Sequence, residues 1–70
     1  MTPQKEAQRL VDLFKPLVYD ADATRRETLD DARICAHIHL DELIKTLELH
    51  GALIGAVAYR EVKDKIDSTI

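Results

Sequence analysis

Apolar residues recur along this chain with helical period, and the longest such run lies in its middle. From Thr24 to Leu49, at about 100° per residue, Leu29, Ala32, Ala36, Leu40, Leu43 and Leu47 share one narrow stripe, the spacing of a buried helix face. Thr24 and Glu27 stand as T-x-x-E just ahead of it, a capping box for the orphan backbone donors, so the pattern predicts a helix over about 25–49. Thr2 followed by Pro3 opens an earlier one over about 3–15, in which Ala7, Leu10, Val11, Phe14, Leu17 and Val18 keep the period. Pro16 clashes with the carbonyl four residues back and biases Lys15 away from helical angles, so this helix should end near Phe14 or kink there. The stretch KPLVYDADAT then reads as a connector whose Leu17, Val18 and Tyr19 tuck back onto the core.

After Leu49, Gly51 suits a left-handed helix cap and His50 complements the negative helix end. A third helix follows over about 52–67, with Ala52, Gly55, Ala56, Tyr59, Val62, Ile66 and Ile70 on one stripe. Gly51, Gly55, Ala56 and Ala58 are small enough for close helix approach. No alternating pattern is long enough for a sheet. The expected fold is therefore all-α: one domain over residues 1–70, a short N-terminal helix packed on a long antiparallel helical hairpin.

Two sets of apolar residues exceed what one three-helix protomer needs. Ile34 and Ile38 lie one turn apart on the side opposite the main stripe. Leu53, Ile54 and Val57 make the first two turns of the third helix apolar all round, as in a helix enclosed on several sides. Contiguous apolar patches mark contacts, so homo-oligomerisation through Ile34, Ile38, Leu53 and Val57 is expected.

Composition points the same way. Seventy residues make one small core, and Cys35 is the only cysteine, which excludes an internal disulfide and fits a reducing compartment. Self-association is the remaining route to more burial. No run reaches the 18 or so apolar residues of a membrane span, and the Met1 end lacks the basic-then-apolar layout of a secretory signal, so a cytoplasmic protein is expected. A net charge of −3 argues against binding long nucleic acid.

Three constellations bear on chemistry. Cys35 and His39, four apart with Glu42 beside them, resemble a thiol nucleophile, a base and an orienting carboxylate. Nothing nearby supplies oxyanion donors, so a core cysteine and no enzyme is the expectation. His37 and Asp41 have the i, i+4 spacing of two metal ligands, but His39 points about 200° away from His37 and two ligands make no site. No metal or cofactor is expected.

The third constellation is Arg25, Arg26 and Arg33. Two arginines in the first turn oppose the helix dipole, which prefers acids there. Either Asp20, Asp22, Glu27 and Asp30 neutralise them, or they join Thr24 and the free backbone donors in holding an anion such as a phosphate. Tyr59 either contacts a base or ribose of such a ligand or fills the core beside Val62 and Ile66.

The segments TPQKEAQRLVDLF, ARICAHIHLDELI and YREVKDKI resemble a group of small helical proteins encoded by phages and prophages of Bacteroidetes. That group runs roughly TPKEKAxxLVxxF, AKQCAxIxVDEII and YWxEVKxEIEKL. Arg60 stands where the group has Trp, which removes an aromatic pair beside Tyr59, and Leu40 stands where it has Val. The resemblance implies a phage protein acting inside an infected bacterium and carries over no catalytic residues. By analogy, such proteins are similar in style to sponges that sequester nucleotide-derived immune signals between protomers. The expected function is therefore a non-enzymatic counter-defence protein holding a phosphate-bearing nucleotide in pockets between subunits, with Arg25, Arg26, Arg33 and Tyr59 as ligand contacts. A protein-interaction or regulatory module, in which the Ile34 and Ile38 face grips another protein, is the alternative.

Overall fold

A computed structural model describes residues 2–70, so Met1 of the expected domain lies outside the described residues. Among the described residues three α-helices form: α1 (Pro3–Phe14), α2 (Arg25–Leu49) and α3 (Leu53–Asp64). Single 3-10 turns follow α1 at Lys15–Leu17 and α3 at Ile66–Ser68. The fold is all-α, with no strand among the described residues.

Local chemistry sets each boundary. Thr2 Oγ1 accepts from the Lys5 N–H at 3.2 Å, and Thr24 Oγ1 accepts from the Glu27 N–H at 3.1 Å. Pro16 ends α1 at Phe14, and the chain tightens into a 3-10 turn. At the end of α2, Gly51 adopts φ +74°, the left-handed region. There the Ala52 N–H donates to the Leu47 carbonyl at 2.8 Å and the Gly51 N–H to that of Glu48 at 3.1 Å, the paired bonds of a Schellman cap. α3 stops at Asp64, short of the expected 67, because the chain winds into the second 3-10 turn and carries Thr69 inward.

Each helix contacts the other two. Ala7, Leu10 and Val11 of α1, Ala32, Ala36 and Leu40 of α2, Val62 of α3 and Ile66 form the buried core, with Phe14, Val18, Leu29 and Tyr59 packed on it. Alanines at the contacts let the backbones come close. Several positions depart from the predicted stripes. Leu17 is 74% exposed, because a 3-10 turn advances three residues per turn and rotates it off the α1 stripe; of the connector residues expected to tuck back, Val18 packs on the core and Tyr19, beyond the turn, is 68% exposed. Beyond Leu40 in α2, Ile44 and not Leu43 or Leu47 is buried, and Ala52 and Ile70 lie exposed at the ends of the α3 stripe.

Polar contacts between α2 and the segment after it run in opposite senses along the two. Glu48 meets Arg60, Asp41 Oδ1 lies 2.6 Å from Lys63 Nζ, His37 Nε2 lies 3.1 Å from Asp67 Oδ1, and Arg33 meets Thr69. The series ends at Arg33. Residues 25–32 of α2 therefore have nothing from α3 opposite them, since 25 helical residues extend about 37 Å and α3 has only 12.

Candidate functional site

That overhang is where a groove opens. It has a volume of about 1050 Å³ and lies open to solvent, between the first turns of α2, the 15–23 connector and Thr69–Ile70. Lys15, Arg25, Arg26 and Arg33 line it together with Tyr19, Thr28 and Leu29. Its lining thus holds four cationic side chains and no acidic one, although the chain as a whole carries net charge −3.

The four cations differ in their commitments. Arg33 Nε donates to Thr69 Oγ1 at 3.2 Å, Nη2 donates to the Thr69 carbonyl, and Nη1 lies 3.5 Å from Asp30 Oδ1. Lys15 Nζ donates to Asp12 Oδ1 at 3.1 Å and to the Ile70 carbonyl at 2.8 Å. These two fasten the 69–70 segment in place, helped by Gln8, whose Oε1 accepts from the Ile70 N–H at 2.9 Å and whose Nε2 donates to the Ile70 carbonyl. Arg25 and Arg26 have no ion pair or side-chain hydrogen bond among the described residues, whereas Arg9 and Arg60 are paired with Glu6 and Glu48. Asp20 instead accepts from the Asp22 N–H at 3.0 Å, so the local acids do not neutralise the pair of arginines by direct contact.

The remaining predicted residues fall elsewhere. Tyr59 packs against the core and does not line the groove; Tyr19 is the aromatic residue there. Cys35 is half-buried, not fully enclosed, and makes no hydrogen bond with His39 or Glu42 among the described residues. The exposed His39 ring rests on Phe14 instead, with centroids 6.0 Å apart and planes tilted by 59°. His37 and Asp41 turn to different partners, Asp67 and Lys63, and no cluster of three or more potential metal ligands occurs among the described residues. Ile34 (56%), Ile38 (60%), Leu53, Ile54 (89%) and Val57 are all exposed on the protomer, so the apolar start of α3 is not enclosed by this chain's own residues.

Sequence pattern missed Lys15, Tyr19, Thr28 and Thr69 as lining residues. The break at Pro16 was the available signal for the first two, because a chain leaving helical geometry beside an overhanging helix end forms a wall. Thr69 carried no comparable signal.

The chain matches no protein-family model, no curated protein and no solved structure. No helix among the described residues is long and apolar enough to cross a membrane.

Proposed function

We propose that this is a non-enzymatic binding protein that holds a phosphate-bearing nucleotide in the basic groove and self-associates through its exposed apolar faces. The observation that carries the reading is that every charged side chain lining the groove is cationic, with Arg25 and Arg26 making no ion pair or side-chain hydrogen bond among the described residues. Guanidinium groups match phosphate geometry through bidentate N–H donation. The α2 N-terminus, between them, adds free backbone donors and a partial positive charge. Tyr19 offers a flat face for a base beside them, the role first expected of Tyr59. The groove is built from one protomer's residues, so we place the ligand within each chain and not between chains.

Self-association has its own support. The protomer exposes 4938 Å², against about 4400 Å² for a compact monomer of its mass. Its radius of gyration is 12.8 Å, against about 11 Å for a compact chain of this length. The resemblance to Bacteroidetes phage proteins implies a phage setting, and analogy with small oligomeric sponges extends the proposal to counter-defence, in which the bound nucleotide is an immune signal withheld from a bacterial receptor.

Thermal unfolding with cyclic dinucleotides, cyclic trinucleotides, ADP-ribose and pyrophosphate tests the binding. A ligand at 100 times its Kd stabilises by about 2.7 kcal/mol, more than about 10 °C for a domain this small. Arg25→Glu with Arg26→Glu should erase that shift while leaving the unliganded melting point nearly unchanged. Absence of any shift across the panel refutes the proposal. The exposed apolar faces also suit the alternative of an adaptor gripping a different protein, which a strictly monomeric chain in solution would favour.

A further inference from the structure

α2 has two apolar sides. At about 100° per residue, Glu27, Asp31, Ile34, Ile38, Lys45 and Leu49 fall within about 60° of one another, on the side opposite Ala32, Ala36 and Leu40. All six are exposed. Their steps of four and three residues, with Asp41 beside the longer gap between Ile38 and Lys45, follow the heptad spacing that seats one helix along another.

We infer that this seam is a two-fold contact between antiparallel α2 helices of two copies, centred midway between Ile34 and Ile38. The inference rests on the self-association reading and specifies its partner and register. Charge selects the direction. The acids Glu27 and Asp31 occupy the N-terminal half of the seam and Lys45 the C-terminal half, so a parallel pair would set each acid against its own copy. The antiparallel pair sets Glu27 against the partner's Lys45, twice. Apolar matching selects the register, because centring on residue 36 lays each Ile34 over the partner's Ile38. The same register brings Asp31 opposite the partner's Asp41, whose charge is compensated within its own chain by Lys63 at 2.6 Å. Glu27 and Lys45 are 18 residues apart, about 27 Å of helix, and at the roughly 20° crossing of coiled-coil-like pairs both ends stay within reach of long side chains. A two-fold axis makes each contact occur twice and closes the pair without leaving the seam open for further copies.

Sedimentation equilibrium at several protein concentrations, with circular dichroism to verify helicity, tests the contact. Wild type should be in monomer–dimer equilibrium, and Ile38→Glu should be monomeric with unchanged helix content. Glu27→Lys alone and Lys45→Glu alone should each weaken dimerisation about tenfold, through two like-charge contacts at exposed positions. The double variant Glu27→Lys/Lys45→Glu should recover wild-type affinity. Dimerisation that is insensitive to Ile38→Glu, or single charge variants that the double variant fails to rescue, overturns the seam while leaving self-association through Leu53, Ile54 and Val57 standing. A wild-type chain that stays monomeric at millimolar concentration overturns both.

Discussion

Replacing Thr69 by valine tests whether the segment after α3 is held by polar bonding or by burial. Thr69 is fully buried; its hydroxyl donates to the Ile66 carbonyl at 2.6 Å and accepts from Arg33 Nε at 3.2 Å. Valine has nearly the same shape, so no cavity forms, and exchanging a hydroxyl for a methyl gains about 0.8 kcal/mol of apolar burial. Against this stand two hydrogen bonds, each contributing roughly 1 kcal/mol net. Neither loss strands a buried partner, so no further desolvation penalty is added. The Ile66 carbonyl keeps the Thr69 N–H at 3.1 Å, and the Arg33 side chain is about one-quarter exposed, so water replaces the lost acceptor. The net loss is about 1 kcal/mol, which for a domain of this size lowers Tm by roughly 4–8 °C. Thermal unfolding by circular dichroism reads it directly. In a chain already carrying Arg33→Met, the same substitution should cost measurably less, because one of the two bonds has gone. A valine variant that melts higher than wild type refutes the reasoning, since burial alone would then be holding the segment.

Other outcomes follow from features nearby. Glu6 and Asp12 are held below their ordinary values of 4.5 and 3.8, chiefly by side-chain hydrogen bonds from Arg9 and Lys15 respectively. A depressed carboxyl stabilises the fold above its unfolded value, so this contribution is intact at neutral pH and fades as pH falls through 4.5 and 3.8 toward the lowered values. Glu6→Gln with Asp12→Asn should flatten the acid limb of a Tm-against-pH curve. The two glycines should respond in opposite directions. Gly51→Ala, at φ +74°, should cost about 1 kcal/mol through backbone strain alone, because no atom lies within 4 Å of the added Cβ. Gly55→Ala should gain roughly 0.5–1 kcal/mol from helix propensity, since its Cβ meets Leu47 Cδ1 at an ordinary 3.5 Å; both are measured by urea unfolding.

The helices were legible because their signals are local and agree with one another. Thr2, Thr24, Pro16 and Gly51 each act within a few residues, and the bonds they form match their types. Burial was legible where a stripe continues for several turns, as from Ala32 to Leu40. It failed at Leu17, which the 3-10 turn carries outward, and at Tyr19, which lies beyond that turn in irregular chain, while Val18 between them stays on the core. Gly55 shows a related limit: a small residue on a core stripe looks required for close approach, yet the structure has room there for a methyl group. The groove was half legible. Arg25 and Arg26 are conspicuous at a helix start, but which residues wall them in depends on Thr69, beyond the end of α3, meeting Arg33, a tertiary fact that no local pattern carries.

The two surfaces of α2 bear on how many ligands an assembly holds. Arg25, Arg26, Leu29 and Arg33 lie on the core side of the helix, whereas the Ile34–Ile38 seam lies opposite, so pairing through the seam leaves the groove uncovered. In an antiparallel pair centred on residue 36, grooves centred near Leu29 sit about 10 Å to either side of the two-fold axis, some 20 Å apart in the direction of the helices. They also open on opposite flanks of the pair. A single nucleotide therefore cannot touch both arginine sets, and dimerisation should neither create nor abolish a site. Calorimetric titration should give one ligand per chain with no cooperativity, and Ile38→Glu should bind with the wild-type Kd. One ligand per two chains, or affinity lost in the monomeric variant, would return the site to the boundary between protomers.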